Sequence, residues 1–439
     1  MRVLTDERRC VGADLGAWMA AGGGAGLERA LADRGGIIPA IEAAGLRGLG
    51  GAGFATHRKW AAVAAQPGPG KWVICNGNED EPGTFKDRFL LSRTPHQVIE
   101  GALVAALAVG AADIVLYINP REAAAVAVAR EAVAQWEAHP LLARLAGALG
   151  EAPRLRVVTG SGLYIGGEET AAVASVMGGF PFPRLKPPFP AESGVGDAPT
   201  LVNNVETLAH AGHILAQGPE WYRGLGLGGA PGTKLFSLSG DVLRPGLHEL
   251  PMGTTLRSLV FGHGGGVLAG RAFKAVFTGG PSNTLLTAAD LDVPLDFDSL
   301  RARGSRLGTG AMIVVGEGTS ILRKTAEYVA FFAANSCGQC PPCKIGTHQV
   351  SRILERVEAG AGRPGDLRAL ENLAGLLPGS GRCGLVDGAA TVLASSLRTF
   401  RGEYERALGP SGQEDGQEDG QGDGQGDRLR GGGLRGGAP

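Results

Sequence analysis

Residues 113–139 read DIVLYINPREAAAVAVAREAVAQWEAH, which predicts a buried strand closed by Asn-Pro and followed by an Ala-rich helix. The same order recurs on both sides of this stretch. The apolar run KWVICN (71–76) precedes a helical segment at 95–111, and the strand-like RLRVVTG (154–160) precedes a helical segment that begins near Glu168. Strands that alternate with helices form a parallel sheet covered on both faces. The pattern therefore predicts an α/β fold for this part of the chain.

Two regions beyond residue 215 follow other patterns. Residues 230–300 alternate short apolar runs with turns, as in KLFSLSGDV and AFKAVFTGG, and predict a small mixed domain. From Ala311 onward the sequence predicts a bundle of about four helices, with cysteines at the helix junctions. The expected boundaries are an N-terminal extension at 1–34, an α/β domain at 35–225, a small mixed domain at 226–310, a helical bundle at 311–408 and a tail at 409–439.

Composition restricts the class of protein. The 439 residues include 42 Lys and Arg against 43 Asp and Glu, so no net positive field points to nucleic acid as a partner. The N-terminal MRVLTDERRC has no apolar segment of the kind found in secretory leaders, and the apolar run at 101–112 is too short to cross a bilayer. We therefore expect a cytoplasmic protein without a membrane span, which reaches a membrane only through partner subunits.

Glycine is unusually frequent, at 74 residues of 439 against an average usage of roughly 7%. One part lies in the tail from Gly409, which has almost no apolar side chains to bury and is expected to be disordered. The rest clusters in loops, most visibly at 45–53 and 160–167. Such loops let a backbone approach a ligand closely.

Four cysteines have the spacing of a metal-cluster site. Cys337, Cys340 and Cys343 are separated by two residues each, and Cys383 follows later in the chain. Two intervening residues let successive thiolates fold around one inorganic core, and a fourth thiolate completes the set that holds a 4Fe-4S cluster. A structural zinc site is the alternative, although zinc sites more often use two separated C-x2-C pairs.

The segment GLRGLGGAGF (45–54) contains a G-x-G-x-x-G pattern at Gly48, Gly50 and Gly53. A dinucleotide-binding loop of this kind follows a strand, whereas a helical segment precedes this one. The loop is therefore either a phosphate or cofactor contact, to which the cation of Lys59 would add, or a tight surface turn.

Polar side chains also follow two of the predicted strands. In an open parallel sheet, ligands bind beyond the carboxyl ends of the strands. The alternatives are a solvated acidic turn at the first place and a helix start stabilised by its dipole at the second. The residues concerned are Asn76, Asn78, Glu79, Asp80 and Glu81 after the first strand, and Glu168 and Glu169 after the second glycine loop.

Two further segments carry candidate ligand contacts. In FPRLKPPFP (182–190), Lys186 is placed to reach a phosphate and Phe189 to stack on a ring, or the segment is only a proline-stiffened connection. In LVNNVET (201–207), Asn203 and Asn204 stand at a helix start, where capping alone explains one of them.

Five motifs occur together in one order over about residues 35–408. They are GLRGLGGAGF, ICNGNEDEPGTFKDR, LYIGGEET, NNVET, and SCGQCPPCK with a later cysteine. In this the sequence closely resembles the NADH-oxidising, FMN-carrying F-type subunit of respiratory complex I and the related diaphorase subunits of NAD-linked formate dehydrogenases and hydrogenases. The resemblance implies a Rossmann-like FMN-binding domain, a small β-grasp (ubiquitin-like) domain and a C-terminal helical bundle with the 4Fe-4S cluster.

The resemblance also implies the ligand contacts. FMN would lie across the first glycine loop, and NADH would stack its nicotinamide on the flavin. The implied FMN contacts are Gly48, Gly50, Lys59, Asn76, Asn78, Glu79, Tyr164, Gly167, Glu168, Asn203, Asn204 and Thr207. The implied NADH contacts are Phe54, Glu81, Glu169, Lys186 and Phe189.

Some positions depart from the family pattern. Leu49 stands where an arginine is usual and would remove a cation from the flavin loop. Asn78 replaces the usual aspartate, Gly166 a frequent cysteine, and Ala62 an aromatic that helps to stack adenine. The resemblance therefore predicts altered electrostatics at the flavin and looser NADH binding.

The function implied by the resemblance is electron input from NADH. Hydride passes to FMN, and single electrons then pass to the 4Fe-4S cluster, with no side chain acting as acid or base because the cofactor carries the chemistry. The implied partners are a 2Fe-2S thioredoxin-like subunit and a larger electron-transfer complex. The alternatives are a diaphorase subunit of a formate dehydrogenase or hydrogenase, and a flavin-free ligand-binding scaffold with a zinc site.

Overall fold

The structure is a computed structural model that describes residues 2–409, so the expected tail lies outside the described residues except for Gly409. The strands are β1 (Lys71–Gly77), β2 (Ala111–Ile118), β3 (Arg154–Thr159), β4 (Thr200–Asn204), β5 (Thr233–Gly240), β6 (Gly246–Pro251), β7 (Phe273–Thr278), β8 (Leu285–Thr287) and β9 (Ala311–Gly316). The helices of the first half are α1 (Leu15–Ala20), α2 (Ala25–Ala32), α3 (Ile37–Ala44), α4 (Thr56–Ala64), α5 (Asp87–Arg93), α6 (Pro95–Val109), α7 (Ala123–Glu137) and α8 (Pro140–Leu149). Those of the second half are α9 (Glu169–Val176), α10 (Val205–Gln217), α11 (Pro219–Arg223), α12 (Phe297–Ala302), α13 (Ile321–Ala334), α14 (Thr347–Glu358), α15 (Asp366–Leu376) and α16 (Leu385–Leu408).

The first sheet has the strand order β3-β2-β1-β4, and every pair in it is parallel. Every residue of β2 is buried, and so is almost all of α6, which explains their nearly continuous apolar sequences. This sheet confirms the predicted α/β class. Its strands end at one edge, where the loops after β1, β3 and β4 meet.

Strand β4 runs directly into α10, at a place where the sequence pattern predicts only a helix start. It has five residues, too few for a clear period of two, and the Asn204 side chain caps α10 by accepting a hydrogen bond from the Glu206 N–H (3.1 Å). Because successive side chains of a strand point to opposite faces, Asn203 and Asn204 face different surroundings.

The second sheet is mixed, with the order β6-β5-β9-β7-β8. Strands β5 and β9 are parallel at its centre, and the other pairs are antiparallel. Strand β9 lies past the expected domain boundary at 310, so the mixed sheet extends to Gly316. Its sequence AMIVVG is a short apolar run, which periodicity cannot distinguish from the first turn of a buried helix.

The C-terminal region is helical, as predicted. Helices α13, α14, α15 and α16 surround a core that includes Phe332, Leu354 and Leu393, all of them fully buried. The segment 335–346 between α13 and α14 carries three cysteines, and Cys383 lies just before α16. Within residues 2–409 no helix combines the length and the apolar character needed to cross a bilayer.

The N-terminal segment is held by a buried carboxylate on β6. Glu249 accepts hydrogen bonds from the backbone N–H groups of Val3 (2.9 Å), Leu4 (3.0 Å) and Thr5 (2.9 Å), and from the hydroxyls of Thr5 and Thr233. Further along, α2 packs against α6 and α10. The first 34 residues therefore share the core of the parallel-sheet region.

We expect Glu249→Ala to lower the free energy of unfolding by about 3 kcal/mol, because several buried N–H and O–H donors lose their only charged acceptor. Urea unfolding measures this loss, and trypsin should cleave faster after Arg8 and Arg9. Glu7→Ala is the matched control, since the Glu7 side chain is 91% exposed and should change neither quantity. Equal behaviour of the two variants would show that Glu249 does not hold the segment.

Candidate functional site

A cavity of about 370 Å³ lies at the carboxyl-end edge of the parallel sheet. This volume is in the range of small-molecule sites. Its wall comes from the parallel-sheet region, the mixed-sheet region and the start of α16. The lining residues are Gly50, Asn76, Asn78, Glu79, Asp80, Glu81, Thr84, Lys86, Asp87, Tyr164, Ile165, Gly167, Glu168, Asn204, Ser282, Arg306, Thr309, Cys383, Gly384, Leu385, Asp387 and Gly388.

The structure brings most of the expected FMN contacts to this wall, and Glu81 with them. Four expected FMN contacts lie elsewhere: Gly48, Lys59, Asn203 and Thr207. The Asn203 side chain points to the other face of β4, where its oxygen accepts a hydrogen bond from Trp60 Nε1 (2.8 Å). Thr207 is fully buried and its hydroxyl accepts from the Leu49 N–H (2.8 Å), so it fastens the glycine loop to α10.

Lys59 belongs to a chain of alternating charges beside the cavity. Its ammonium lies 2.9 Å from Glu169 and 3.1 Å from the Val202 carbonyl oxygen, and Lys186 lies 2.9 Å from Glu169 and 3.1 Å from Glu168. Burial alone would raise the pKa of Glu169, but the two lysines lower it below its usual value. The structure thus joins four of the expected NADH and FMN contacts into one ion-pair chain.

Phe54 and Phe189, the rings expected to stack on adenine, lie outside the cavity wall. Each is about half exposed, at 50% and 51%, and the Arg58 guanidinium lies 5.7 Å from the centre of the Phe54 ring. Both rings are therefore free to pack against a planar ligand.

The cavity wall offers a hydrogen-bonding group that suits a flavin. The side-chain oxygen of Asn78 is buried at the wall and has no hydrogen-bond partner, so it can accept from an N–H or O–H group of a ligand. Its nitrogen donates to the Leu163 carbonyl (3.0 Å), and Asn76 donates to the Gly167 carbonyl (2.8 Å). These amides hold the second glycine loop against β1 and leave an acceptor for the ligand.

Glycine is required at Gly50 in the cavity wall and at Gly166 next to it. A Cβ on Gly50 would lie 2.7 Å from the Asn204 Cβ, and one on Gly166 would lie 2.9 Å from the Tyr117 hydroxyl. The family often has a cysteine at the position of Gly166, and here Tyr117 occupies the space that a cysteine side chain would need. The departure at Leu49 also has a structural reason, since its side chain lies in the core of the mixed sheet.

A buried acid and a tyrosine form one pair in the wall. The Tyr164 hydroxyl donates to Glu81 (2.6 Å), and the Ser282 N–H donates to the same carboxylate (3.3 Å). Burial raises the pKa of Glu81, and burial together with Glu81 raises that of Tyr164. Tyr164 also packs edge-on against Phe331 and Phe332 of α13, which links the cavity to the cysteine region.

Several wall residues escape sequence reasoning. Lys86 and Asp87 stand in the quoted motif ICNGNEDEPGTFKDR, but a lysine is rarely buried, so the sequence does not mark it as part of a site. Ser282, Arg306 and Thr309 come from the mixed sheet, whose approach to the first sheet no local pattern reveals. The only sequence signal for Lys86 and Asp87 is that they form a pair of opposite charges near the end of the motif ICNGNEDEPGTFKDR.

The four cysteines line one small cavity next to the first. Apolar side chains of Ile165, Pro183, Leu385 and Val386 complete it. The Ser336 hydroxyl lies 3.2 Å from Cys343 Sγ, the Arg382 N–H donates to Cys340 Sγ (3.3 Å) and Gln339 donates to Cys337 Sγ (3.5 Å). Burial raises the pKa of Cys383 to about 12.

The donor set fits a 4Fe-4S cluster, because four cysteine thiolates around one cavity are the ligands that such a cluster usually has. Four thiolates are also a donor set for zinc. Cys337, Cys340, Cys343 and Cys383 would hold such a cluster.

Two family models match the parts of the chain that supply most of the two cavities. Residues 41–213 match the family model of the Nuo51 FMN-binding domain, and residues 323–407 match that of the NADH-ubiquinone oxidoreductase-F iron-sulfur binding region. The first match contains the glycine loops and β4, and the second contains all four cysteines of the small cavity.

Similar proteins come from two kinds of enzyme. An F-type NADH-quinone oxidoreductase subunit of Rhizobium meliloti is 45% identical over 370 residues, which are 84% of this chain and 87% of the relative. A subunit of the NADP-reducing hydrogenase of Solidesulfovibrio fructosivorans is 37% identical over 84% of this chain and 75% of its own length.

A solved structure is similar as well. A chain of an NAD+-reducing nickel–iron hydrogenase in the air-oxidized state superposes with a TM-score of 0.75 at 35% identity over 86% of this chain. This chain spans 63% of that hydrogenase chain, which is less than two thirds. Because the curated relatives are matched over most of both chains, the protein belongs to the family of F-type NADH-quinone oxidoreductase subunits, whose members carry an FMN-binding domain and an iron–sulfur region.

Proposed function

We infer that the protein is an NADH-dependent oxidoreductase that takes electrons into a larger complex through FMN and a 4Fe-4S cluster. When bound, FMN would supply the chemistry of accepting a hydride from NADH and of releasing the two electrons one at a time. The chain supplies binding, orientation and the connection between the two cofactor sites.

The observation that carries this function is a shared wall. Ile165, Cys383 and Leu385 line both the larger cavity and the cysteine cavity. A ligand thiolate of the cluster would therefore border the flavin site directly, and electrons would need no further carrier between the two. Cys383 sits at this border because it lies immediately before α16, whose first turn separates the cavities.

We propose that NADH approaches along the exposed side of the cavity. Phe54 and Phe189 offer half-exposed rings for the adenine, and Lys186 offers a cation for a phosphate. In the free protein Lys186 is held by Glu168 and Glu169, so binding a phosphate would require it to exchange one of these partners. Glu81, the remaining expected NADH contact, would contact NADH inside the cavity rather than at its mouth.

The finer assignments of fold and partner are part of this proposal. A β-grasp fold for the mixed sheet is supported by its first and last strands, β5 and β9, lying parallel at the centre. A 2Fe-2S thioredoxin-like subunit as partner, and a place at the cytoplasmic face of the membrane, follow from the family resemblance.

The second candidate is a diaphorase subunit of a hydrogenase, which the similar hydrogenase chains favour. It uses the same cavities with a different electron acceptor. Neighbouring genes distinguish the two, because membrane subunits of a quinone reductase would support the first and a nickel-containing catalytic subunit the second. A molybdenum subunit would indicate a formate dehydrogenase.

Cofactor analysis tests the proposal against the flavin-free zinc scaffold. We expect the protein purified without oxygen to be coloured and to hold one FMN, four irons and four sulfides per chain. It should also reduce an artificial acceptor with NADH. A colourless protein that holds zinc and no flavin would overturn the proposal.

A further inference from the structure

Lys86 is a fully buried lysine, with 0% of its surface exposed, in the wall of the larger cavity, hereafter the flavin cavity. Its ammonium lies 2.7 Å from Asp87, 2.9 Å from the side-chain oxygen of Asn204 and 3.1 Å from Glu206. Buried lysines are rare and costly unless they are paired. No step of the proposed electron transfer accounts for this residue.

A second buried lysine completes the network without reaching the cavity. Lys234 on β5 lies 2.5 Å from Glu206, is fully buried and is absent from the cavity wall. Two lysines thus face two carboxylates, Asp87 and Glu206. These four groups together are neutral when all are ionised, and the adjacent carboxylate of Glu79 is paired separately with Arg88 at 3.0 Å.

The pKa values of Lys86, Lys234 and Glu206 leave each of these groups ionised at neutral pH. Burial alone would lower the pKa of Lys86, but Asp87, Glu206 and Glu79 raise it above its usual value. Burial lowers the pKa of Lys234 to about 8 in spite of Glu206. Burial would raise the pKa of Glu206, but Lys234 and Lys86 lower it below its usual value.

Lys86 also fixes an amide in the cavity wall. The Asn204 oxygen accepts from Lys86 and from the Glu206 N–H, while its nitrogen donates to Asp87 (2.7 Å) and to the Asn76 carbonyl (3.3 Å). Both ends of the amide are therefore committed. Removing the lysine would free one end of Asn204 and leave an excess negative charge beside the cavity.

We propose that Lys86 is a positioning residue for FMN that orients Asn204 and cancels the carboxylate charge in this wall, so that the reduced, more negative flavin is stabilised. The proposal rests on the proposed function, since it assigns a role to the wall of the same cavity. The physical reason is that charges act strongly at short range in a site shielded from water.

The test is a redox titration of FMN in the full-length protein, followed by flavin absorbance. We expect Lys86→Met to weaken binding of reduced FMN at least about tenfold more than binding of oxidised FMN, which corresponds to a fall of about 30 mV for a two-electron couple. Lys86→Arg keeps the charge and should recover most of the potential.

Two further variants separate charge from structure. Asp87→Asn leaves an excess positive charge in the wall and should raise the potential, which a merely structural role of the network would not do. Lys234→Met removes the same side chain from the same network without touching the cavity. We expect it to lower thermal stability as much as Lys86→Met and to shift the potential less than half as far.

Each outcome decides the question. A lower FMN potential in Lys86→Met together with a higher one in Asp87→Asn supports the proposal. Any other pair of potential changes in the two variants overturns it. If Lys86→Met does not fold, the sign of the Asp87→Asn shift decides alone. If the protein without substitutions binds no FMN, the proposed function itself is overturned. If it binds FMN normally and Lys86→Met has the same FMN potential, only this inference is overturned.

Discussion

Replacing Cys340 with alanine should remove the 4Fe-4S cluster and leave FMN bound. Cys340 lines the cysteine cavity and is absent from the wall of the flavin cavity. Mutation of a residue that only hydrogen-bonds to a metal ligand costs about 10- to 100-fold in metal affinity. Loss of a ligand itself should therefore cost at least about 100-fold. Iron analysis and electron paramagnetic resonance measure the cluster, and flavin absorbance measures FMN.

Two comparisons sharpen this expectation. Cys10→Ala is the control, because Cys10 lies in the N-terminal segment, outside both cofactor cavities. Cys383→Ala should lose the cluster and also weaken FMN, since Cys383 lines both cavities. A Cys340→Ala protein that keeps its cluster, or that loses FMN as fully as the cluster, would contradict the two-cavity arrangement.

Replacing Gly50 with alanine should weaken FMN binding by about 5- to 150-fold. The new Cβ would lie 2.7 Å from the Cβ of Asn204 and would displace a side chain of the cavity wall. Overpacking of this kind costs about 1–3 kcal/mol, which corresponds to this range in affinity. Fluorescence titration of the flavin-free protein with FMN measures the change.

Gly147→Ala is the matched control for this substitution. Gly147 lies within α8, and nothing stands within 4 Å of its added Cβ, so alanine should raise helix stability and leave FMN affinity unchanged. Unchanged FMN affinity in Gly50→Ala would mean that the flavin does not lie against this loop.

The fold is predictable where the pattern is local and long. Strand β2 and helix α7 follow from the apolar run and the alanine-rich segment at 113–139, and the cysteine spacing at 337–343 indicates a cluster without any knowledge of the fold. Strands β4 and β9 escape prediction because each is a short run whose strand character depends on a partner strand distant in sequence.

The candidate site is harder to predict, because its wall is assembled from three regions. Asn203 and Asn204 are adjacent and chemically equal, and only the alternation of β4 turns one to Trp60 and the other to the cavity. The buried charge of Lys86 depends on Glu206, which is distant in sequence. A sequence motif names the residue types at such a site, but the packing decides which of them face the ligand.

The central claim is that electrons pass from NADH through FMN to the cysteine-bound cluster. Rapid mixing of the loaded protein with NADH in the absence of oxygen tests it directly, with flavin absorbance and the resonance signal of the reduced cluster followed in time. We predict that the flavin bleaches first, that the cluster signal follows, and that protein stripped of FMN shows neither. Reduction of the cluster by NADH in the stripped protein, or a bleached flavin with an oxidised cluster that never changes, would contradict the account.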